Sequence, residues 1–437
     1  KNSTLVSKIT GTGKTDIDSS GKVIVSELIQ NELTNTGFLN VNNLKISTNA
    51  NNSGSITNNG LSSEIKNLTN SGIINGDGEL AISGASINSG NISQSIINVS
   101  GTLDNTLGTL TTTDKFENTG NITTVADKII ATNGIINENH LTLTNGTLSS
   151  QVSGTGITNI IGSVTNNAFI SQNVNVDSSG ILTVNANIGN LINRGEVTSN
   201  TNNLTGSITN SGILNLSGTL DKNISGNGTT KVNGLLNLAP SAIIDGVLDL
   251  NNGTISTSDL NYSKYDIKTL DGVGNATIDV DWANSKADSF NTTSGSGVLN
   301  LTLNQTGTEN IWDTKTIKIT NGGVGIFFDT ITGVKEKEIL GSDDLQANVD
   351  WADKFGAWKR TDTYSETTSA IKSIGSLVND SIQYEVIKTN EGIKTYTTDC
   401  DTLALLIQNS IAGSKDKTFT TTNANNIYSV KENLGIL

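Results

Sequence analysis

The chain has 437 residues, of which 34% are hydrophobic, 4% aromatic and only 16% charged, with a net charge of −14. Disordered chains couple low hydrophobicity to high charge or abundant proline; here Pro240 is the one proline and the apolar residues are mostly Ile, Leu and Val, which favour strands. Arg194 and Arg360 are the only arginines, and without a basic patch to neutralise phosphates the chain is not a nucleic-acid binder.

Cys400 is the single cysteine, so no intrachain disulfide can form. No apolar run approaches the roughly 18 residues of a spanning helix, and no export signal is seen. Methionine is absent, so Lys1 is read as the start of a processed product or of a segment of something longer. Any membrane anchoring is then expected from sequence not present here.

Residues 1–260 repeat themselves. An apolar residue is followed by an Asn-Ser/Thr-Gly turn in LTNTGFL (33–39), LTNSGII (68–74), FENTGNI (116–122) and ITNSGIL (208–214), with LINRGEV (191–197) as a variant. A Gly-x-aliphatic-x-aliphatic unit often follows or overlaps it, as GFLNV (37–41), GELAI (78–82), GILTV (180–184), GILNL (212–216), GLLNL (234–238) and GVLDL (246–250). The unit reads as a turn feeding a short strand, because glycine accepts positive φ and asparagine tolerates it. Alternation then turns Leu214 and Leu216, Leu236 and Leu238, and Leu248 and Leu250 inward while Asn215 faces out. Asn-Gly pairs at 59–60, 75–76, 133–134, 145–146, 233–234 and 252–253 add turns.

Such turns also close hairpins, so an antiparallel sandwich competes. Short, similar strands recurring over some 250 residues favour a parallel β-solenoid. At roughly 20 residues per coil and about 4.8 Å between strands, residues 1–260 would stack about 13 coils, roughly 60 Å long. Aliphatic stacks are expected inside and ladders of Asn and Thr outside.

Composition changes near residue 260. All six tyrosines and all four tryptophans lie beyond it. Strands are expected at 297–303, 316–320 and 324–329, IDVDWANSKADSF (278–290) is echoed by ANVDWADKFGAW (347–358), and 401–412 reads as a short amphipathic helix. YSVKENLGIL (428–437) reads as a further turn and strand. The domains are therefore a solenoid over 1–260 and a β-rich region over 261–437 that continues or caps it.

Together the turn-strand units, the polar Asn/Thr/Ser/Gly face, the scarcity of Cys and Met, and the DxDWA…ADxF element resemble passenger segments of autotransporter-type bacterial surface proteins and filamentous-haemagglutinin-like adhesins. The resemblance implies a right-handed parallel β-helix, displayed at or released from the bacterial surface. It implies no enzyme and no cofactor, and as partners a host or cell-surface glycan or protein, or further copies of the chain. The membrane barrel of a complete member is missing.

Candidate chemical groups are few. His140 would have to serve any Ser–His–Asp arrangement, but its place before an alternating strand reads as a turn, and one histidine cannot make a multi-histidine metal site. Asp399 and Asp401 flank Cys400 and should raise its pKa, which disfavours a nucleophile. GTGKT (11–15) resembles the end of a phosphate loop, yet Lys8 stands where a glycine is needed, so it reads as a turn.

Paired acids, Asp16/Asp18, Asp279/Asp281 and Asp343/Asp344, match the carboxylates of β-helix glycosidases. Without nearby basic and aromatic groups they read as solvated surface acids, with calcium a lesser alternative. Trp282 and Trp351 read as core packing rather than a ligand platform. The sequence thus assigns no catalytic, cofactor or metal residue. It favours a structural or adhesive stalk, with a self-assembling filament subunit and a carbohydrate-active enzyme as rivals.

Overall fold

In the computed structural model the described residues are 2–4, 8–306 apart from 282, 283 and 285, and the strands 315–318, 326–332, 384–389, 392–397, 417–423 and 426–432. The chain is an all-β parallel solenoid of about 15 turns, divided into two compact units, 1–214 and 215–437.

In the first unit one coil follows another in parallel register. The strand Phe38–Asn52 pairs along three separate runs, with Ser55–Asn58, with Glu64–Ile65 and with Asn67–Asn70. Each coil therefore offers three short faces, and every alternate residue points inward. On one face Leu39, Ile56, Ile74, Ile92, Leu110 and Ile129 lie in register, all fully buried. On another, Leu80, Ile97, Phe116, Ile135 and Val152 do the same. Burying a residue of this size is worth about 1.5–3 kcal/mol, and each coil repeats the gain. The inward placement read from sequence for Leu214, Leu216, Leu236, Leu238, Leu248 and Leu250 is borne out.

The turn asparagines do something the sequence reading did not anticipate. Asn35, Asn52, Asn70, Asn88 and Asn105 are buried in one interior column. Each Nδ2 donates to the Oδ1 of the next coil's asparagine, at 2.7, 2.7, 2.7 and 2.6 Å, and Asn105 donates to Thr124 Oγ1 at 2.9 Å. The same amides donate to backbone carbonyls ahead of them, Asn35 to Ser55 at 3.1 Å and Asn52 to Ile73 at 3.2 Å. Leu143, Ile160 and Val176 then occupy the column before Asn193 and Asn210 resume it with a 2.8 Å bond. At the start of the column Asn35 follows Ile17, and its Oδ1 has no partner among the described residues. Aliphatic stacks dominate the interior as expected, and an amide seam runs among them; amides are admitted because nearly every donor in the seam is satisfied. Outward Asn pairs exist too, as Asn67 to Asn49 at 3.2 Å and Asn185 to Asn167 at 2.8 Å.

Glycine's role is also corrected. In the Asn-Ser/Thr-Gly turns it is not positive φ that requires glycine. A Cβ on Gly54, Gly72, Gly90 or Gly120 would stand 2.0–2.2 Å from the carbonyl oxygen of the stacked glycine before it. Coil-to-coil approach excludes a side chain there. Of the Asn-Gly turns, Gly76, Gly134, Gly146 and Gly234 take positive φ as read, Gly234 at +79° with open space where a Cβ would go, whereas Gly60 and Gly253 do not.

In the second unit the coils lengthen. Ile255 pairs with Ala276 and Ala276 with Leu301, steps of 21 and 25 residues. The additional residues form the segment 257–263 and an antiparallel turn in which Val280 faces Ala287 and Asp281 faces Lys286. The expected strands appear as Gly297–Thr306, Lys315–Lys318 and Ile326–Thr332, and the last-read strand as Asn426–Glu432. Antiparallel pairing is confined to that turn, to Lys315–Lys318 with Tyr384–Thr389 and Gly392–Thr397, and to Lys417–Asn423 with Asn426–Glu432, among the described residues. The helix expected at 401–412 lies outside them.

Two predictions follow from the stacking. Gly72→Ala should cost about 1–3 kcal/mol or more, as overpacking does, whereas Gly234→Ala should cost only the left-handed strain of about 1–2 kcal/mol; denaturant midpoints of the two variants rank them. Asn70→Asp should destabilise more than Asn70→Leu, because it buries an unpaired charge worth about 3–5 kcal/mol against Asn88 Oδ1. Acidification toward pH 4 should narrow that gap, read by amide exchange in the neighbouring coils.

Candidate functional site

Two places concentrate polar groups. The first is on the outer side of the first unit. The strands Lys14–Ile17, Lys22–Asn35, Phe38–Asn52 and Ser63–Asn70 bring Lys14, Glu32, Asn49 and Asn67 into one column. Asp16, Thr34, Asn51 and Thr69 form the column beside it. Between them lies a groove of about 290 Å³, lined by these residues apart from Asp16, with Leu33 at its floor. Lys14 Nζ is held by Asp16 Oδ1 at 2.9 Å, which lowers the carboxyl's pKa chiefly through that hydrogen bond. Asn51 and Thr69 make no side-chain hydrogen bond among the described residues, so an amide and a hydroxyl stand open to a ligand.

The second place is in the second unit. Asp279 and Asp281 lie on the strand Val273–Asp281, alternating with the buried Ile278 and Val280. Alternation puts them on the outer side as expected, but not in solvent: Asp279 is fully buried and Asp281 is 8% exposed. The segment 257–263 and the turn after Asp281 cover them. Asp279 Oδ1 accepts Ser258 Oγ at 3.0 Å, and Oδ2 accepts the backbone N–H of Asp259 at 2.8 Å. Asn284 donates to Asp281 through Nδ2 at 2.7 Å and through its backbone N–H at 3.0 Å. The reading of these acids as solvated is therefore corrected, since local donors replace the water.

A third acid, Asp288, was not singled out from sequence. It is fully buried beside Asp279 and accepts Thr257 Oγ1 at 2.7 Å and the backbone N–H groups of Asp279 and Ser263, both at 2.9 Å. Burial pushes its pKa up to about 6 against these hydrogen bonds. Tyr265, packed at the same spot with its hydroxyl 3.2 Å from Thr257 O, is shifted upward mainly by burial. The signal in the sequence was ADSF, an isolated acid between Ala287 and Phe290, which looks like any turn acid until the 25-residue coil step folds it under. Among the described residues no group of three or more His, Cys, Asp or Glu is arranged to hold a metal ion.

The remaining candidates are dispersed. His140 is exposed at the head of the strand His140–Leu143, with Asn121 and Ile157 as its neighbours in adjacent coils. GTGKT is a turn at 11–13 followed by the strand Lys14–Ile17. Asp16 and Asp18 are exposed; Asp18 accepts Ser20 Oγ at 2.8 Å and its N–H at 3.0 Å, which lowers its pKa. Arg194 is exposed. Trp282, Asp343, Asp344, Trp351, Asp399, Cys400 and Asp401 lie outside the described residues.

No protein-family model matches the chain, and no curated protein matches it in sequence. Among solved structures, the Hap adhesin of Haemophilus influenzae is similar at a TM-score of 0.24 and 13% identity, over 89% of this chain and 43% of that one. The chain thus spans less than half the length of that protein. The solenoid assignment rests on the strand pairing itself.

The elevated Asp288 carboxyl sets a pH dependence. A native pKa of about 6 lies above the unfolded value near 3.8, so between those values the native state holds more protons and stability falls as pH rises. From pH 4 to pH 7 the loss should be about 1–3 kcal/mol. Asp288→Asn, whatever its own cost, should remove that slope in denaturant titrations run across the range.

Proposed function

We propose that this chain is a non-enzymatic structural and adhesive stalk segment of an extracellular or surface-displayed bacterial protein. Its coils wind right-handed, and residues 261–437 continue or cap the solenoid. The observation that carries this reading is the pair of outward columns on the first unit, where Asn51 and Thr69 leave an amide and a hydroxyl unsatisfied beside Asn49, Asn67 and Thr34. Planar amides and hydroxyls repeating at about 4.8 Å between strands suit the spaced hydroxyls of a host or cell-surface glycan. A coil stack locked from within by glycine contacts and amide rungs holds such a face rigid, and rigidity lowers the entropic cost of binding.

The test is binding of the full chain to an immobilised panel of neutral and acidic glycans. Replacing Asn51 and Thr69 together by Ala should weaken binding by about 2 kcal/mol, roughly thirtyfold, with the far-UV spectrum unchanged. Release of reducing ends from any of those glycans, abolished by Asp279→Asn, would instead establish a carbohydrate-active enzyme. Binding that ignores the two substitutions would remove the groove from the reading.

A further inference from the structure

The segment 257–263 and the strand Val273–Asp281 enclose a buried carboxyl next to a hydroxyl with two acceptors. Thr257 Oγ1 lies 2.7 Å from Asp288 Oδ2 and 3.2 Å from the backbone oxygen of Thr277. A threonine hydroxyl carries one hydrogen and two lone pairs, and it turns to suit its partners. It therefore donates to one of these acceptors at a time. The Thr277 oxygen already accepts the backbone N–H of Thr257 at 2.9 Å, and a carbonyl oxygen has room for a second donor.

We infer that Thr257, Asp288 and Thr277 form a proton-storing site in which the Thr257 hydroxyl reverses direction with the charge of Asp288, so that the enclosure stays closed in both states. With Asp288 ionised, the hydroxyl donates to its Oδ2 alongside the Asp279 N–H. With Asp288 protonated, the new O–H donates to Thr257 Oγ1, and Thr257 donates onward to Thr277 O. One proton enters, one hydroxyl turns, and no buried polar atom loses its partner.

The surroundings fix why the proton is held at this carboxyl. Asp279, on the facing strand, has its Oδ1 and Oδ2 occupied by Ser258, Asp259, Leu260 and Asn304. Ser258 is the one hydroxyl among those donors, and its Oγ already accepts Asn304 Nδ2 at 2.8 Å. The other charged or titratable groups on the packed elements are Asp259, Tyr262, Lys264, Tyr265, Asp266, Lys268, Asp271, Asp281 and Lys286. Lys264 is engaged by Asp266 at 3.4 Å, and Tyr265 Oη is turned to the Thr257 carbonyl. Asp288 titrates upward of an ordinary aspartate because of its burial, which brings the reversal into the range between acid and neutral pH.

The inference is tested on the full chain with ¹³C-labelled aspartate. Infrared difference spectra between pH 4 and pH 8 should show one buried carboxyl titrating near pH 6, absent in Asp288→Asn. Amide exchange at Ser263 and Asp279, corrected for its intrinsic pH dependence, should stay equally protected on both sides of that titration. Thr257→Val removes the hydroxyl at nearly constant shape, taking a donor from the ionised carboxylate and an acceptor from the protonated carboxyl. It should lose about tenfold in protection at those two amides on both sides of the titration. Thr257→Ser should restore protection on both sides, which separates the hydroxyl's role from packing. Loss of protection on acidification in the unsubstituted chain, or a Val variant as well protected below the titration as the Ser variant, would overturn the inference.

Discussion

The spacing between successive coils governs everything else in this molecule. Parallel strands joined by backbone hydrogen bonds sit about 4.8 Å apart, and in the first unit the chain must turn three corners in each circuit of 15–20 residues without breaking that spacing. At the corners the backbones approach so closely that a carbonyl of one coil occupies the place of a Cβ in the next. Glycine there is a steric necessity imposed by the neighbour, not a local choice of φ. Because the neighbour has the same requirement, the demand propagates from Gly37 through Gly54 and Gly72 to Gly90.

The buried asparagines answer a different need. An aliphatic interior alone tolerates a coil shifted by two residues, since one Ile or Leu packs much like another. A seam of amides does not, because a displaced rung leaves a donor and an acceptor in the core with no partner, at about 1–3 kcal/mol each. The seam therefore adds register specificity to a stack whose cohesion comes from Leu39, Ile56, Ile74 and their equivalents. Where Leu143, Ile160 and Val176 fill the column, cohesion remains and that specificity lapses.

Much of this was legible in the sequence, and the part that was not has a definite cause. Alternation from the glycine turns located the inward leucines, and the self-similarity selected parallel stacking over a sandwich. The inward asparagines were legible too, since Leu33 and Asn35, Leu68 and Asn70, and Phe116 and Asn118 share the parity of a strand. They were read as turn residues because polarity was allowed to outweigh parity. Asp279 and Asp281 were placed on the correct side but given the wrong environment, because the segment that covers them comes from the preceding coil. Asp288 stood in the ADxF element but gave no sign of burial, which depends on partners 31 and 25 residues back, Thr257 and Ser263. Such contacts appear only once the length of the coil is known.

The rungs of the amide seam all run one way, each nitrogen facing forward along the chain and each oxygen backward. The seam consequently has unlike ends. At its forward limit Thr124 receives the last hydrogen and passes its own to Val125 O at 3.1 Å, so that end is closed. At the other limit Ile17 stands before Asn35, whose oxygen goes unanswered among the described residues. A coil inserted in front must bring a hydrogen to give, and one inserted behind must bring a lone pair. Lengthening this seam is thus a chemically different operation in its two directions.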